Sequence, residues 1–287
     1  MWTKDELQIS PRTPDASGRI HHVTPATAKW EYTYFDVHQL ESGQTLVGRN
    51  EDKETCAVVI SGAACFSADG SILGETEHRL SPFDGRPWAM YAPVGSTWEI
   101  KALEPLEVAI CGASAENRKA AFMIRPADFS METRGAGSNV RHVIDLLPAD
   151  RDLADRLLVV EALTPPGSSS SYPPHKHDVD NLPYESKLEE IYYHRIHPAQ
   201  GFAFQRVYTG DRSLDVVMAV NDRDVVLVPM GYHPVAAPHG YKVYYLNVMA
   251  GPKRIWKTNP DPNHAWLLLG SSDEQQRVFE AEDNVVE

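Results

Sequence analysis

Cysteine is scarce in this chain of 287 residues: Cys56, Cys65 and Cys111 are all there is, an odd set with no CxxC pair. That excludes a disulfide framework and a zinc knuckle. Positive charge is also short, with 27 Lys and Arg against 40 Asp and Glu, a net of −13. A nucleic-acid partner requires a basic field, so none is expected. An anionic small molecule stays open, because a few local Arg or Lys residues offset an acidic surface. No apolar run approaches the roughly 20 residues of a membrane span, so no membrane partner is expected. The opening MWTKDELQIS lacks the apolar core of a signal peptide. Together with the cysteine usage this points to a reduced, cytoplasmic protein. Helical periodicity is weak, and only 115–121 (AENRKAA) and 148–155 (PADRDLAD) read as short helices.

What the sequence does hold is a succession of short runs rich in β-branched and aromatic residues, broken by turn residues. EYTYFDV (31–37), TCAVVISG (55–62) and TWEIKAL (97–103) are examples from the first half. RLLVVEALT (156–164), EEIYYHRI (189–196), FAFQRVYTG (202–210), DVVLVP (224–229) and KVYYLNVMAG (242–251) repeat the style in the second. Such runs predict a mostly antiparallel all-β protein. YAPVGSTW (91–98) ends a strand in a Pro-x-Gly turn, and LVPMGYH (227–233) does so 136 residues later. This echo suggests two β units joined near 125–139, and a long all-β chain usually hides its edges by closing into sandwiches or barrels.

One constellation stands out. On an extended strand residues i and i+2 share a face, so His175 and His177 project together while Lys176 points away. Glu190 shares a face with Tyr192 and His194, and Glu189 faces the other way. HPAQ (197–200) suggests a hairpin. With Ile196 opposite Gly201, Gln205 falls across from Tyr192 on the same side. His233 follows the turn Pro229-x-Gly231, with His239, further from that turn, as the second choice. His21 and His22 read as bystanders. Singly, each of these residues has an ordinary surface or turn reading. Together, three imidazoles and a carboxylate suit a borderline divalent ion: Zn, Mn, Fe, Co or Ni.

HxH, then Glu, then Pro-x-Gly with a His resembles the two-part metal motif of the cupin superfamily. Cupins usually set the Glu only a few residues after the second His, whereas here it comes 13 residues after His177. The segment DVDNLPYESKLE (178–189) must therefore form a longer loop. LLVVEALTPPGSSSSYPPHKHD, EEIYYHRI and GYKVYYLNVMAGPKR resemble the 5-deoxy-glucuronate isomerase family of inositol catabolism, and the likeness is densest over residues 134–266. The resemblance implies a bicupin, two tandem β-barrels of double-stranded β-helix type with few short helices. Residues 1–125 would form a degenerate N-terminal cupin, with Trp98 where a ligand histidine would stand. Residues 126–287 would form the metal-binding cupin.

Carried over, His175, His177, Glu190 and His233 are the metal ligands. The implied reaction is an aldose–ketose isomerisation of 5-deoxy-D-glucuronate to 5-dehydro-2-deoxy-D-gluconate. The metal would act as a Lewis acid on an enediolate, with a general base nearby. His194, Tyr192 and Gln205 are the expected catalytic residues, and only His194 is a natural base near neutral pH. The sugar-acid carboxylate calls for Arg or Lys. Arg206 and Lys176 point outward, and Lys242 and Arg254 are further candidates. Bicupins often pair exposed strands between subunits, which leaves room for a homo-oligomer. A ferrous cupin oxygenase with the same ligand set and a non-catalytic sugar-binding cupin are the alternatives.

Overall fold

The computed structural model describes residues 2–268. The fold is all-β, and the same strand order occurs twice. In the first half, a six-stranded sheet runs Phe122–Ile124, Ala89–Ala92, Lys53–Ser61, Leu106–Ser114, Thr33–Leu40, Arg19–Val23. It is closed by a four-stranded sheet, Thr45–Arg49, Thr97–Ala102, Ala64–Ala68, Ser71–Glu75. In the second half the large sheet runs Gln8–Ile9, Val225–Val228, Glu189–His197, Lys242–Ala250, Leu158–Thr164, Arg141–Leu147, Glu132–Arg134. Its four-stranded partner is Ser169–Ser170, Val235–Ala236, Phe202–Tyr208, Asp215–Asn221. The short strand Gln8–Ile9 thus belongs to the second half, where it pairs with Val225 and Val226 and Leu7 enters that barrel's core.

Alternation along the strands builds three cores. Tyr192 and Ile196 point into the second barrel with Val143, Val207 and Met249. Ile191 and Tyr193, on the opposite face of the same strand, join Phe35, Val58 and Leu246 in the core where the two large sheets meet. Phe66, Met90 and Ile100 fill the first barrel. Four carboxylates cross the junction of the halves. Glu54 accepts the backbone N–H groups of Asp155, Arg156 and Leu157. Glu189 accepts those of Glu31, Tyr32 and Thr33. Glu161 takes both arms of Arg79 at 2.8 and 2.9 Å. Glu107 accepts from Tyr193, Arg195 and Arg223. Burial opposes ionisation of Glu107, but the two guanidinium groups outweigh it and hold its pKa below the usual value.

Neither expected helix forms. Residues 115–121 and 148–155 are irregular, and the described helices are single turns at Lys4–Leu7 and Pro25–Ala28 with 3-10 segments at Gly137–Asn139 and Pro262–Leu268. Side chains take the backbone groups those helices would have paired. The Asp155 carboxylate accepts from the N–H groups of Glu116 and Asn117. The Arg254 guanidinium donates to the carbonyls of Leu147, Pro148, Arg151 and Leu157. Among the described residues no helix is long and apolar enough to cross a membrane.

Candidate metal centre

The 13-residue gap between His177 and Glu190 is taken up by a small hairpin of its own, Asp178–Asn181 against Glu185–Lys187. The hairpin closes where the N–H of Leu188 donates to the carbonyl of His177 at 2.8 Å. The chain thus returns to its starting point, and Glu190 lands beside His177 as a shorter loop would have placed it. Lys176 holds the hairpin from beneath, bridging Asp178 at 2.6 Å and buried Glu185 at 2.7 Å. Asp178 in turn accepts the N–H of Gly231 at 2.7 Å, tying the hairpin to the turn that carries the last histidine. That turn requires glycine: φ is +84°, and a Cβ at Gly231 would stand 2.3 Å from the Tyr208 carbonyl oxygen.

His177, Glu190 and His233 are buried, and each offers a ligand atom within 4.8 Å of the others. Nε2 of His177 and Nε2 of His233 both lie 3.0 Å from Glu190 Oε2. The His175 ring is half-buried at the rim, its centroid 5.1 Å from that of His233 and 6.3 Å from that of His177. All three histidines turn Nδ1 to a backbone carbonyl: His175 to Pro173, His177 to Leu188, His233 to Gly231. The Nδ1 proton is thereby fixed, and Nε2 is left as the acceptor. Acceptor nitrogens facing a carboxylate oxygen across 3.0 Å need a positive centre between them, either protons on the imidazoles or a cation. His233 Nε2 is buried and lacks an aligned hydrogen-bond partner, so the donor set fits a divalent ion.

The charges agree with this. Burial, with His233 and His177 beside it, lowers the His175 pKa to about 3, which keeps it neutral. Burial opposes protonation of His177, but the hydrogen bond and charge of Glu190 raise its pKa overall. Burial works against the Glu190 charge too, yet His233 and His177 hold its carboxyl well below the usual range. The second oxygen, Oε1, accepts from Asn247 Nδ2. Asn247 pairs across the sheet with Tyr192. It was not foreseen, being one polar residue in a strand that reads as apolar.

Glu190, Tyr192 and His194 follow one another along one face of their strand, so Tyr192 stands between the cluster and His194. The Tyr192 ring is 5.9 Å from His233 on one side and stacks on His194 at 5.8 Å on the other. Its hydroxyl meets Ser171 Oγ at 2.8 Å. His194 is fully buried, its Nε2 2.9 Å from Gln205 Oε1, and burial lowers its pKa to about 4. The expected hairpin pairing of Ile196 with Gly201 does not occur. Strand Glu189–His197 pairs with Val225–Val228 and Lys242–Ala250, while Phe202–Tyr208 lies in the opposite sheet. Gln205 therefore reaches across the barrel interior and meets His194 instead of Tyr192. The turn joins two sheets, so no local register rule applies to it.

Of the other candidates, His239 is exposed, and His21 binds the Arg223 carbonyl at 2.7 Å in the junction of the halves. His22 lies 2.6 Å from Asp36. Arg206 forks onto Asp215, Lys242 is exposed at a strand end, and Arg254 is spent on backbone carbonyls. His175 opens onto a cavity of about 400 Å³ that is also lined by Arg134, Arg141, Tyr172, Trp256 and Thr258.

Fold and site together define a bicupin whose second barrel carries a His/Glu cluster of metal-binding type. The chain belongs to the KduI/IolB family, which it matches over residues 8–267. It is 48% identical to the 5-deoxy-glucuronate isomerase of Geobacillus kaustophilus over 263 residues, 91% of this chain and 95% of that protein. It is 44% identical to the enzyme of that name from Bacillus subtilis, over 87% of this chain and 92% of the relative. The crystal structure of an IolB-like protein from Salmonella typhimurium superposes with a TM-score of 0.88 at 44% identity, covering 91% of this chain and 99% of that one. Oxalate decarboxylase of Lactobacillus farciminis, at 14% identity and a TM-score of 0.65 over 96% of this chain and 94% of its own, shares the fold.

Proposed function

We propose that this chain is a metal-dependent aldose–ketose isomerase that converts 5-deoxy-D-glucuronate to 5-dehydro-2-deoxy-D-gluconate in inositol catabolism. The observation that carries this reading is the buried His177, Glu190 and His233 cluster, with His175 at its rim opening onto a cavity, in a chain that shares almost half its residues with proteins named for that reaction. The reaction moves a proton from C2 to C1 while the carbonyl passes the other way, through an enediolate whose negative charge dominates the barrier. A divalent ion held by the four ligands supplies Lewis-acid stabilisation of that charge, worth several kcal/mol.

The chain's own groups also stabilise the charge that develops on the substrate oxygens. Tyr192 is beside the cluster, and burial together with the Glu190 charge keeps its pKa well above the ordinary value. It therefore stays protonated and donates toward a developing oxyanion, with Ser171 as its partner for relay. His194 and Gln205 act one layer behind as positioning residues. Their hydrogen bond fixes the imidazole on which the Tyr192 ring stacks. Cytoplasmic operation on a small sugar acid is part of the same reading.

The test is anaerobic incubation of purified protein of measured metal content with 5-deoxy-D-glucuronate, followed by NMR in D₂O. Formation of the ketose without oxygen consumption is expected, and deuterium at C1 would report exchange of the carried proton with solvent. Turnover that requires oxygen would favour a cupin oxygenase. Binding without turnover would reduce the protein to a sugar-binding cupin.

A further inference from the structure

We infer that Arg141 is the residue that selects a carboxylate-bearing sugar, by binding the acid group at the end of the substrate remote from the metal cluster; the inference rests on the isomerase reading and deepens it. A net charge of −13 gives an anion no general attraction to this surface, so its recognition falls to a local cation. Among the described residues two guanidinium groups line the cavity, Arg134 and Arg141, and the first is already engaged, as is nearby Lys176. Arg134 is held by Glu132 and Asp145, each at 3.0 Å. Lys176 is held by Asp178 and Glu185. Arg141 lines the cavity with His175 and meets no carboxylate among the described residues; its Nη1 donates to the Asn139 carbonyl at 3.2 Å.

The backbone around Arg141 is arranged to leave that guanidinium room. Arg141 shares a strand face with Val143, whose side chain lies in the core of the second barrel, so Arg141 points to the barrel mouth. Gly135 adopts φ +84°, and a Cβ there would stand 2.9 Å from Arg141 Nη1 and 2.0 Å from the Asn139 carbonyl oxygen. Only a glycine admits this close approach. Asn139 also donates its side-chain amide to the Tyr172 carbonyl at 3.2 Å, which ties the loop to the HxH segment. Burial lowers the Arg141 pKa and Tyr245 offsets part of that effect, so the guanidinium sits partly desolvated beside Tyr245. The Tyr245 ring is 5.0 Å from Tyr192, which in turn lies 5.9 Å from His233. Because His175 and Arg141 line the same cavity, a sugar acid bound there can turn its carbonyl end to the metal cluster and its acid end to Arg141. A forked guanidinium matches a carboxylate bidentately.

The experiment measures binding and turnover separately on metal-loaded protein. The binding probes are L-gulonate, which has no carbonyl to isomerise, and glucitol, its uncharged counterpart, titrated calorimetrically into wild type, Arg141→Ala and Arg141→Lys. The expected result is a loss of L-gulonate affinity of about 10- to 100-fold in Arg141→Ala, a smaller loss in Arg141→Lys, and a wild-type preference for gulonate over glucitol that collapses toward unity. In turnover, KM for 5-deoxy-D-glucuronate rises by a similar factor while kcat changes less. Metal content is measured for each variant and is expected to match wild type. Equal losses for gulonate and glucitol, or unchanged gulonate affinity in Arg141→Ala, would overturn the assignment. Selective gulonate binding by a wild-type protein that turns nothing over would uphold Arg141 and sink the isomerase reading.

Discussion

The two barrels repeat one strand order and treat the same corner of it differently. In the second barrel Glu190 pairs with Val228, the residue before Pro229-x-Gly231. In the first, Thr55 pairs with Ala92, the residue before Pro93-x-Gly95. Thr55 thus takes the register position of Glu190. Its hydroxyl donates to Asn50 Oδ1 at 2.8 Å, and Trp98 Nε1 donates to the same oxygen at 3.1 Å. Asn50 Nδ2 donates to the carbonyls of Ala92 and Pro93. Every polar group in that corner is satisfied from within the protein, and the result is a brace. The equivalent corner of the second barrel faces acceptor nitrogens toward a carboxylate and leaves a buried Nε2 without an aligned partner. A self-satisfied cluster holds a fold together, whereas an under-satisfied one can hold a ligand.

The sharpest way to break the comparison is His177→Ala. Elemental analysis should show bound metal falling to near zero, and the NMR assay a loss of turnover of at least about a thousandfold. A variant as active as wild type would remove the metal from the mechanism. Asn50→Ala tests the brace. It strands the Thr55 hydroxyl and the Trp98 N–H in a buried setting and should cost about 3 kcal/mol in chemical denaturation, with metal content unchanged. Asn247→Leu takes the donor from Glu190 Oε1 and should weaken metal affinity about 10- to 100-fold in a chelator competition. The smallest effect concerns pH. The folded pKa of His194, about 4, lies below the ordinary 6.5, so the unfolded chain binds more protons between those values. Stability from neutral His194 is complete above pH 6.5 and is lost as pH falls toward about 4. The slope is at most about 1.4 kcal/mol per pH unit. Thermal melts at pH 7.5 and 5 should differ less for His194→Gln than for wild type. An equal pH dependence would refute the assignment of that proton.

The strands were legible because half-buried sheets write an alternation into the sequence, as in EEIYYHRI, whose two faces serve two different cores. The sequence singled out His175, His177, Glu190 and His233 because ordinary surface positions rarely combine those residue types, and the fold brings His177, Glu190 and His233 together with His175 at the rim. Asn247 and Arg141 were not singled out, since one polar residue in an apolar run and one arginine at a strand start have no local signature. The position of Gln205 was misjudged for a related reason: a turn between sheets looks like a hairpin until the sheets are known, whereas His194 follows Tyr192 on the expected face. The absent helices at 115–121 and 148–155 show long-range side chains overriding local propensity. Asp155, Glu54 and Arg254 claim those backbone groups from afar.

The short strand Gln8–Ile9 has one more consequence. It covers Val225 and Val226, the outer edge of the large sheet of the second barrel. Uncovered, that edge would present a row of free backbone donors and acceptors to any other extended chain. Gln8 reinforces the seal by donating its side-chain amide to Asp224 at 2.7 Å and to the Ala219 carbonyl at 2.8 Å. Gln8 and Ile9 therefore cap that edge, and a truncation that removed them is expected to expose the Val225–Val226 backbone to pairing with another strand even where every catalytic group is spared.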